Sequence, residues 1–346
     1  MDNTDDKPIV KFDSDNFIGA FTGALNTLDE AENLGRRVAT AGYRRIFLTG
    51  CGAPHYMMRS VSYWARKYAI GLDIRNYFSV ELLHQDPAAL DDKTLVVLGS
   101  HSGKTKETVE VAEFLSGKPC KTIAFTQFPG SQLAENVDDV IAYGDTKEGY
   151  FSAYILAQMF LSAFLNVIEP NWSLHSDIVD SLPHLPEALA NAKQGNLIAA
   201  ASQAKFFSED RTMYVIGGGP MFTTAYTFAS CFLMEMQRMH AHPIEAAEFF
   251  HGPFEVIDEN TPIIILIGEG PAREEGQRVY KFCQKYAKRF IVMDSEVFQM
   301  RGIKPAIRPL VAPFVVDAAL TALVESLAVV HDFPLTIRRY MGKVDY

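Results

Sequence analysis

A cluster of hydroxyl side chains lies where an apolar segment meets a segment of helical periodicity. The apolar run TLVVLGS leads into residues 100–108, after which VEVAEFL takes up a helical period. The hydroxyl residues of this junction and its glycine are Ser100, Ser102, Thr105, Thr108 and Gly103. Hydroxyls, backbone N–H groups and the positive end of a helix dipole together form an anion site, and glycine lets the backbone approach the anion. The pattern predicts a phosphate-binding turn.

Two other interpretations of this turn can be weighed from the residues. Ser and Thr often cap helices, but four hydroxyl residues exceed what a cap requires. The order of residues also differs from GxxxxGK[ST], so a monophosphate ester is expected rather than a nucleoside triphosphate. A second glycine turn, with Gly52 followed by Ala53-Pro54-His55, comes after RRIFLTG. Ligands of doubly wound sheets bind at such strand ends, although a glycine turn alone is common for steric reasons.

Glu235 is the one charged residue in the apolar run Phe232-Leu233-Met234-Glu235-Met236. A charge in such surroundings needs either a partner or a function. From the residues alone, a helix-surface carboxylate or a buried ion pair is the simpler interpretation. His251 precedes Gly252-Pro253, and from the residues alone a hydrogen-bonded core histidine at a helix end explains it as well.

A metal site could be drawn from His240, His242 and either Glu245 or Glu248. On a helix the two histidine rings would point to different sides, whereas on a strand they would share a face. Because no further Cys or His stands at ligand spacing, no metal is predicted. Glu248 is instead expected to orient the loop that carries His251, or to bind a substrate amine.

Strand-like and helical segments alternate along the chain, as in parallel, doubly wound sheets. Predicted strands are 44–50, 72–78, 94–100, 121–126 and 139–144, and then 213–219, 262–268 and 289–295. Predicted helices are 151–168, 221–240, 272–287 and 313–330, with a helical connector at 168–195. A chain of 346 residues also exceeds what one core usually supports. The sequence therefore predicts an α/β protein with two tandem lobes, 1–175 and 176–346.

The overall composition narrows the class of protein. Hydrophobic residues make up 48% and charged residues 21% of the chain, as in ordinary soluble globular proteins. A net charge of -10 and a pI near 5.4 argue against nucleic acid as a partner. The acidic N-terminus does not look like a secretory signal, and no apolar run approaches a bilayer-spanning length, so a cytoplasmic protein is predicted. The widely spaced cysteines are expected to be reduced thiols: Cys51, Cys120, Cys231 and Cys283.

Several of these segments together resemble the SIS (sugar isomerase) family over nearly the whole chain. The segments are TGCGAPH, Ser79-Val80-Glu81, SHSGKTKET, FLMEMQ and AAEFFHGPFEVID. Within that family, the AEFFHGPFE block and the terminal RRYMGKVDY are most similar to the fructosamine-6-phosphate deglycases of the fructoselysine-6-phosphate type. The resemblance implies two tandem SIS-type lobes, with parallel sheets flanked by helices and the phosphate-binding loop in the first lobe.

The resemblance also implies roles for individual residues. It places the catalytic base at Glu235 and the catalytic histidine at His251, both in the second lobe. It implies a substrate- and phosphate-binding set that consists of Gly52, Glu81, Ser100, His101, Ser102, Thr105, Thr108, Glu248 and Lys343. In that family a neighbouring subunit can supply the histidine, so a homodimer or higher homo-oligomer with shared active sites is expected.

Some positions depart from the family pattern or allow more than one role. Ala53-Pro54 stands where related proteins often carry a hydroxyl, and His101 replaces a residue that is often Gln. The terminal segment could be a disordered end or a docked strap. Its cationic residues Arg338, Arg339 and Lys343 could neutralise a phosphate or an amino-acid carboxylate, or could simply face solvent.

The implied reaction cleaves a fructosamine 6-phosphate to glucose 6-phosphate and a free amino acid. Moving a proton between C1 and C2 turns the ketoamine into an imine that water opens, so one base and one acid suffice and no cofactor is expected. The apolar surroundings of Glu235 would favour its protonated form, and His251 could act near neutral pH. The alternatives are a glucoselysine-6-phosphate deglycase, a glucosamine-6-phosphate isomerase or deaminase, and a non-catalytic phosphosugar-binding regulator.

Overall fold

The structure is a computed structural model that describes residues 7–344, so residues 1–6 and the last two residues of the predicted tail lie outside it. The chain divides into two compact units. The N-terminal unit consists of Asp15–Pro186 and Gly302–Leu310. The C-terminal unit consists of the described residues up to Ser14, Glu187–Arg301, and the described residues from Val311 onward.

The N-terminal unit is built on a five-stranded parallel sheet of order β2-β1-β3-β4-β5. Its strands are β1 (Arg45–Gly50), β2 (Asp73–Phe78), β3 (Thr94–Gly99), β4 (Lys121–Thr126) and β5 (Asp139–Ala142). Its helices are α1 (Ser14–Gly19), α2 (Thr22–Asn26), α3 (Leu28–Ala39), α4 (Ala53–Tyr68), α5 (Ser79–Gln85), α6 (Lys106–Leu115), α7 (Gly149–Ile168) and α8 (His175–Ser181), with a short 3-10 helix at Ala134–Asn136.

Both faces of this sheet are covered by helices, which explains the apolar strands. All six residues of β3 are buried. On one face, Phe47 and Val96 pack with Leu82 of α5 and Val111 of α6. Helices α3 and α4 both pack on α7. A parallel strand covered on both faces loses the polar alternation of a half-exposed strand, as the sequence pattern indicated.

The C-terminal unit contains a four-stranded parallel sheet of order β7-β6-β8-β9. Its strands are β6 (Thr212–Gly217), β7 (His240–Glu245), β8 (Ile263–Ile267) and β9 (Phe290–Asp294). The helices from residue 182 onward are a 3-10 helix (Leu182–His184), α9 (Leu185–Phe206), α10 (Pro220–Tyr226), a π-helix (Thr227–Met234), α11 (Glu235–Gln237), a 3-10 helix (Pro253–Val256), α12 (Arg273–Tyr286), a 3-10 helix (Ser295–Val297) and α13 (Arg308–Val330).

The two sheets share one topology. In each sheet the second strand along the chain is an edge strand beside the first, and the third strand lies on the opposite side of the first. Each first strand is followed by a glycine with closely similar backbone angles. Gly52 has φ 58° and ψ −134°, and Gly219 has φ 55° and ψ −123°. L-residues with a Cβ rarely adopt these angles, so the turn requires glycine. The predicted α/β class with two parallel sheets flanked by helices is confirmed.

Several predicted elements differ from the structure. Strand β7 was not among the predicted strands, and the helix predicted to reach residue 240 ends at Gln237. Strand β5 ends at Ala142, two residues early, and α13 begins at Arg308 with Pro313 inside it. The predicted connector is helical, as expected. All four cysteines are free, with Cys120 and Cys283 buried and the other two half-buried.

Two helices are longer apolar segments than the sequence prediction allowed. Gly149–Ile168 and Arg308–Val330 are long and apolar enough to cross a membrane by length and composition. The sequence prediction that no apolar run approaches this length was therefore wrong. The apolar windows of the two helices are 83% and 72% buried inside the structure, and core helices pass the same test of length and composition.

Candidate functional site

The predicted phosphate turn follows the C-terminal end of β3. The Ser100 hydroxyl lies 2.9 Å from the Thr105 hydroxyl, and the Ser100 side chain is almost fully buried. Gly103 has φ +63°, and a Cβ at this position would lie 2.2 Å from the Ser131 hydroxyl oxygen. Glycine is therefore needed here both for the backbone angle and for the close approach to Ser131.

The hydroxyls of this turn do not cap the helix that follows. Thr105 occupies the N-cap position of α6, but its side chain makes no capping hydrogen bond. Its oxygen is paired with Ser100 instead. Ser102 is exposed, and its oxygen accepts a hydrogen bond from the Lys104 amide at 3.2 Å. Helix capping thus does not account for this cluster of hydroxyls, whereas an anion site would use them.

Thr108 is buried and belongs to a different set of side chains. Its hydroxyl lies 3.2 Å from the hydroxyl of Ser79 and 3.7 Å from the Cys51 sulfur. Ser79 in turn accepts a hydrogen bond from Thr49 at 3.4 Å. This network ties α6 to β1 and α5 beneath the turn. The structure therefore separates Thr108 from the Ser100–Thr105 pair.

A cavity of about 240 Å³ opens beside Ser100, where the C-terminal ends of β1 and β3 meet. Because β2 lies on one side of β1 and β3 on the other, this is the topological switch point of the sheet, where ligands of such folds bind. Its lining includes Pro54, Met57, Ser100, His101, Tyr143, Lys147 and Tyr150. Gly52 precedes this lining and turns the chain into α4.

His101 lines the cavity and is held by Tyr143. Its Nδ1 lies 3.0 Å from the Tyr143 hydroxyl, and the two rings are stacked with centroids 5.8 Å apart. Burial lowers the pKa of His101, although the charge of Asp145 acts in the opposite direction. A Cβ at Gly149 would lie 2.0 Å from the same Nδ1, so that glycine makes room for the ring. The imidazole is therefore neutral near pH 7 and can offer one donor and one acceptor.

Lys147 is the cation of this cavity, and it is not among the site residues predicted from the sequence. Within residues 7–344 its ammonium makes no hydrogen bond or ion pair. Its position just after β5, at a strand's C-terminal end, is the signal that could have identified it. Glu81, by contrast, is exposed and is not part of the cavity lining. Its carboxylate accepts a hydrogen bond from the Phe78 amide at 3.2 Å and so caps α5.

Glu235 lies in the C-terminal unit, directly after the π-helix Thr227–Met234. Such helices are rare and occur often at functional sites. Its Oε1 accepts a hydrogen bond from Nε of Arg338 at 2.7 Å, and both side chains are largely buried. The charge therefore has a partner that its apolar sequence neighbours did not reveal. Within the described residues, Oε2 of Glu235 has no hydrogen-bond partner.

The terminal segment after α13 is a docked strap in its described part. The side-chain amide of Gln237 donates a hydrogen bond from Nε2 to the Phe333 carbonyl at 2.9 Å. The ammonium of Lys343 donates one to the Arg338 carbonyl at 2.6 Å, and the side chain is otherwise exposed. Lys343 thus contacts the residue that pairs with Glu235. It is not in the lining of the cavity around Glu235.

His251 and Glu248 lie at the opposite end of β7 from Glu235. The cavity of about 540 Å³ around Glu235 includes His240, the first residue of β7, but neither of these two residues. The chain then runs along β7, whose six residues span roughly 17 Å at about 3.3 Å per residue. His251 follows in an exposed turn, where its amide donates to the Glu248 carbonyl at 2.9 Å. Within one chain, β7 therefore separates the candidate base from the candidate histidine.

His240 and His242 share one face of β7, and both are exposed. The ring of His242 stacks on Tyr214 at 5.2 Å. Glu245 accepts a hydrogen bond from the Gly219 amide at 3.1 Å, and burial, with a contribution from the charge of Glu275, raises its pKa. Among the residues that the structure describes, no group of three His, Cys, Asp or Glu is arranged to hold a metal ion.

Comparisons with known proteins match both halves of the chain. A family model described as the SIS domain matches residues 41–167 and 206–295. A fructosamine deglycase of Bacillus subtilis (strain 168) is 34% identical over 303 residues, which cover 87% of this chain and 92% of that protein. An agropine synthesis conjugase of Rhizobium rhizogenes is 30% identical over 342 residues, which cover 95% of this chain and 94% of that protein.

A third relative and a solved structure extend these matches. A fructoselysine 6-phosphate deglycase of Escherichia coli (strain K12) is 26% identical over 303 residues, or 86% of this chain and 85% of that protein. A Bacillus subtilis crystal structure, provisionally described as a phosphosugar isomerase, superposes with a TM-score of 0.83 at 31% identity. The superposition covers 92% of this chain and 100% of that one.

Proposed function

Because this chain belongs to the SIS domain family, we propose that it is a deglycase that cleaves a fructosamine 6-phosphate of the fructoselysine 6-phosphate type. The products are glucose 6-phosphate and a free amino acid. Relatives named fructosamine deglycase and fructoselysine 6-phosphate deglycase support a phosphosugar deglycase or isomerase. The observation that carries the proposal is the Ser100–Thr105 hydroxyl pair. The Thr105 side chain does not cap its helix, and Ser100 lines the switch-point cavity.

The phosphoryl group of the substrate binds at the turn after β3. Ser100, Ser102 and Thr105 donate their hydroxyl protons to phosphoryl oxygens, and the ammonium of Lys147 supplies charge in a protein of net charge -10. Gly52 and His101 shape the sugar side of the cavity. Thr108 and Glu81 serve as positioning residues, because their side chains already bond within the fold.

Glu235 is the proposed base. Its carboxylate removes a proton from C1 of the ketoamine as the acid protonates O2, which gives a C1=C2 enaminol. The same carboxylate then delivers the proton to C2 as the N–H proton returns to the conjugate base of the acid, which leaves a C1=N imine and a hydroxyl on C2. Water adds to the imine carbon, and loss of the amine gives the C1 aldehyde of glucose 6-phosphate. Arg338 holds Oε1, so that Oε2 is the oxygen that takes the proton. The steps balance with water as the only co-substrate.

His251 acts as the acid from a second copy of the chain. The separation of Glu235 and His251 by the length of β7, together with the exposure of His251, supports this arrangement. Glu248, whose carbonyl accepts a hydrogen bond from the His251 amide, orients His251 or contacts the substrate amine. The proposal therefore includes a homo-oligomer with shared active sites. It also includes a cytoplasmic location, with which four free thiols agree.

The direct test is incubation of the purified protein with fructoselysine 6-phosphate and assay of glucose 6-phosphate and free lysine. Glu235→Gln should lower kcat by roughly a hundredfold or more while affinity for glucose 6-phosphate is kept. Glu274→Gln, which removes an exposed carboxylate from α12, is the matched control and should leave kcat unchanged. Unchanged turnover in Glu235→Gln would refute the base assignment.

The oligomer is tested by mixing two inactive variants. Glu235→Gln and His251→Ala should each be inactive alone, and activity should return when their subunits are exchanged, because hybrid oligomers regain one intact pair. No return of activity, with subunit exchange demonstrated by differently tagged chains, would show that both residues act from one copy.

A second candidate function uses the same proton transfer, either to condense a sugar phosphate with an amine or to cleave the 2-amino isomer of the adduct. The relative named agropine synthesis conjugase aligns over 95% of this chain, which favours assaying condensation as well as cleavage. Glucose 6-phosphate and an amine should therefore be assayed for adduct formation, and the 2-amino adduct for cleavage. Interconversion of fructose 6-phosphate and an amine with glucosamine 6-phosphate, without cleavage of either adduct, would replace the deglycase proposal.

A further inference from the structure

The cavity around Glu235 is rich in guanidinium groups. Arg238, Arg338 and Arg339 all line it, together with the single carboxylate of Glu235. The chain as a whole carries a net charge of -10, so this concentration of positive charge runs against the overall balance. A cavity of about 540 Å³ with this lining is suited to an anion.

Of the three arginines that line the cavity, Arg338 is the one that pairs with Glu235. Arg338 donates to that carboxylate and to the Leu335 carbonyl. The guanidinium of Arg238 lies over the Phe333 ring, 4.7 Å from its centroid, and that of Arg339 lies 5.9 Å from the centroid of Tyr340. In the described part of the chain, neither of these two makes a hydrogen bond or an ion pair. Their N–H donors are therefore available to a ligand.

The backbone of Arg238 is a second indication. Its φ of 55° and ψ of 30° are left-handed angles, which glycine or asparagine adopts more readily than a long side chain. Residues held at such angles cluster at functional sites. The turn thus places a guanidinium, stacked on Phe333, at a position where the backbone alone would favour glycine.

We propose that Arg238 and Arg339 bind the carboxylate of the amino-acid portion of the substrate. This inference rests on the proposed deglycase function. A guanidinium fork matches a carboxylate in geometry and charge. Met234, Met239 and Met341 add flexible apolar surface that suits an aliphatic side chain. The phosphoryl group is the other anion of the substrate, and it is assigned to the hydroxyl turn after β3.

The test compares substrates that differ only in this charge. The first pair is the 6-phosphorylated fructose adduct of glycine and that of glycinamide. The second pair is the adduct linked through the lysine side chain, with a free carboxylate or a carboxamide. For at least one pair, the intact protein should show a kcat/KM about tenfold or more higher for the carboxylate, as expected for loss of a charge-assisted hydrogen bond.

The variants are Arg238→Asn, which tolerates the left-handed backbone, Arg339→Gln, and the double variant. Each should remove most of the carboxylate preference and leave kcat/KM for the carboxamide within about twofold, because a neutral group gains little from a cation. Lys281→Gln, which removes an exposed charge from α12, is the control and should keep the preference. Affinity for glucose 6-phosphate should be unchanged in all of them.

Each outcome bears on a distinct claim. Equal kcat/KM for carboxylate and carboxamide, or a preference that survives the double variant, would overturn the carboxylate site while leaving the deglycase function intact. A loss of glucose 6-phosphate affinity in the double variant would assign the cavity to the phosphoryl group instead. If no adduct is cleaved, the proposed function fails, and calorimetric titration of the same four compounds then decides the site by the same tenfold criterion.

Discussion

The guanidinium of Arg338 donates a hydrogen bond from Nε to Oε1 of Glu235 at 2.7 Å. The bond joins the strap after α13 to the short helix α11. The strap is also held at the Phe333 carbonyl, which accepts a hydrogen bond from the side-chain amide of Gln237. Within the strap, the Lys343 ammonium donates to the Arg338 carbonyl. An end segment with no apolar period thus holds the carboxylate that the proposed reaction needs.

Arg338 is therefore expected to act as a positioning residue. Arg338→Gln should lower kcat by roughly tenfold to a hundredfold, because a misplaced base costs rate, while KM changes little. Arg338→Lys should recover part of the loss, and added guanidinium ion should rescue Arg338→Gln. Arg301→Gln, at an exposed arginine of the same unit, serves as control. A parallel change in KM with no rescue would indicate a purely structural role.

The hydroxyl pair of the turn after β3 should control affinity for sugar phosphates. Ser100→Ala or Thr105→Val removes a donor to a charged ligand and should weaken glucose 6-phosphate binding by about tenfold to a hundredfold. Isothermal titration calorimetry measures this directly. The Ser116 hydroxyl donates a hydrogen bond to the Glu113 carbonyl at the end of α6, and Ser116→Ala should bind glucose 6-phosphate normally. Normal binding in both turn variants would remove the basis of the proposed function.

Lys147 should strengthen glucose 6-phosphate binding in the same cavity through the positive charge of its ammonium. Lys147→Gln should weaken glucose 6-phosphate binding by about tenfold and make the affinity less dependent on salt, because ionic attraction is screened. Lys93→Gln, just before the N-terminal end of β3, is the matched control. A series of titrations at increasing ionic strength measures the effect. The prediction is contradicted if the variant keeps the salt dependence of the intact protein.

His55 should make the stability of the protein sensitive to mild acid. Burial lowers its pKa from 6.5 to about 4, although a hydrogen bond with the Tyr77 carbonyl at 3.0 Å acts in the opposite direction. The folded ring stays neutral while the unfolded ring gains a proton, so stability is lost as the pH falls from 6.5 towards 4. The loss is at most about 3 kcal/mol.

The measurement is urea unfolding of the intact protein and of His55→Asn at pH 7 and near pH 4.5. The free energy of unfolding should fall more steeply with acid in the intact protein, because the variant lacks the titrating ring and carboxylates contribute equally to both. Identical pH dependence in the two proteins would show that another group is responsible.

Local patterns fixed much of the architecture in advance. Eight of the nine strands of the described residues coincide with strand-like runs of the sequence. Most of these runs are apolar, because burial on both faces of a parallel sheet leaves a pattern within a few consecutive residues. The hydroxyl turn was visible for a similar reason, since Ser100 to Thr108 lie within one loop and one helical turn. Strand β7 was missed because HAHPIE mixes polar residues and a proline, and its place beside β6 depends on pairing with a distant strand.

Contacts between distant residues decided the rest. Arg338 pairs with a carboxylate 103 positions earlier, and no local window carries that information. The separation of Glu235 from His251 follows from β7, whose extended backbone spaces residues that a helix of equal length would keep closer. Lys147 comes beside Ser100 because β5 and β3 end at one edge of a parallel sheet. The sequence by itself determined which chemical groups are present and which segments carry them. Within each unit, the packing of the sheet with its helices decided which of those groups meet.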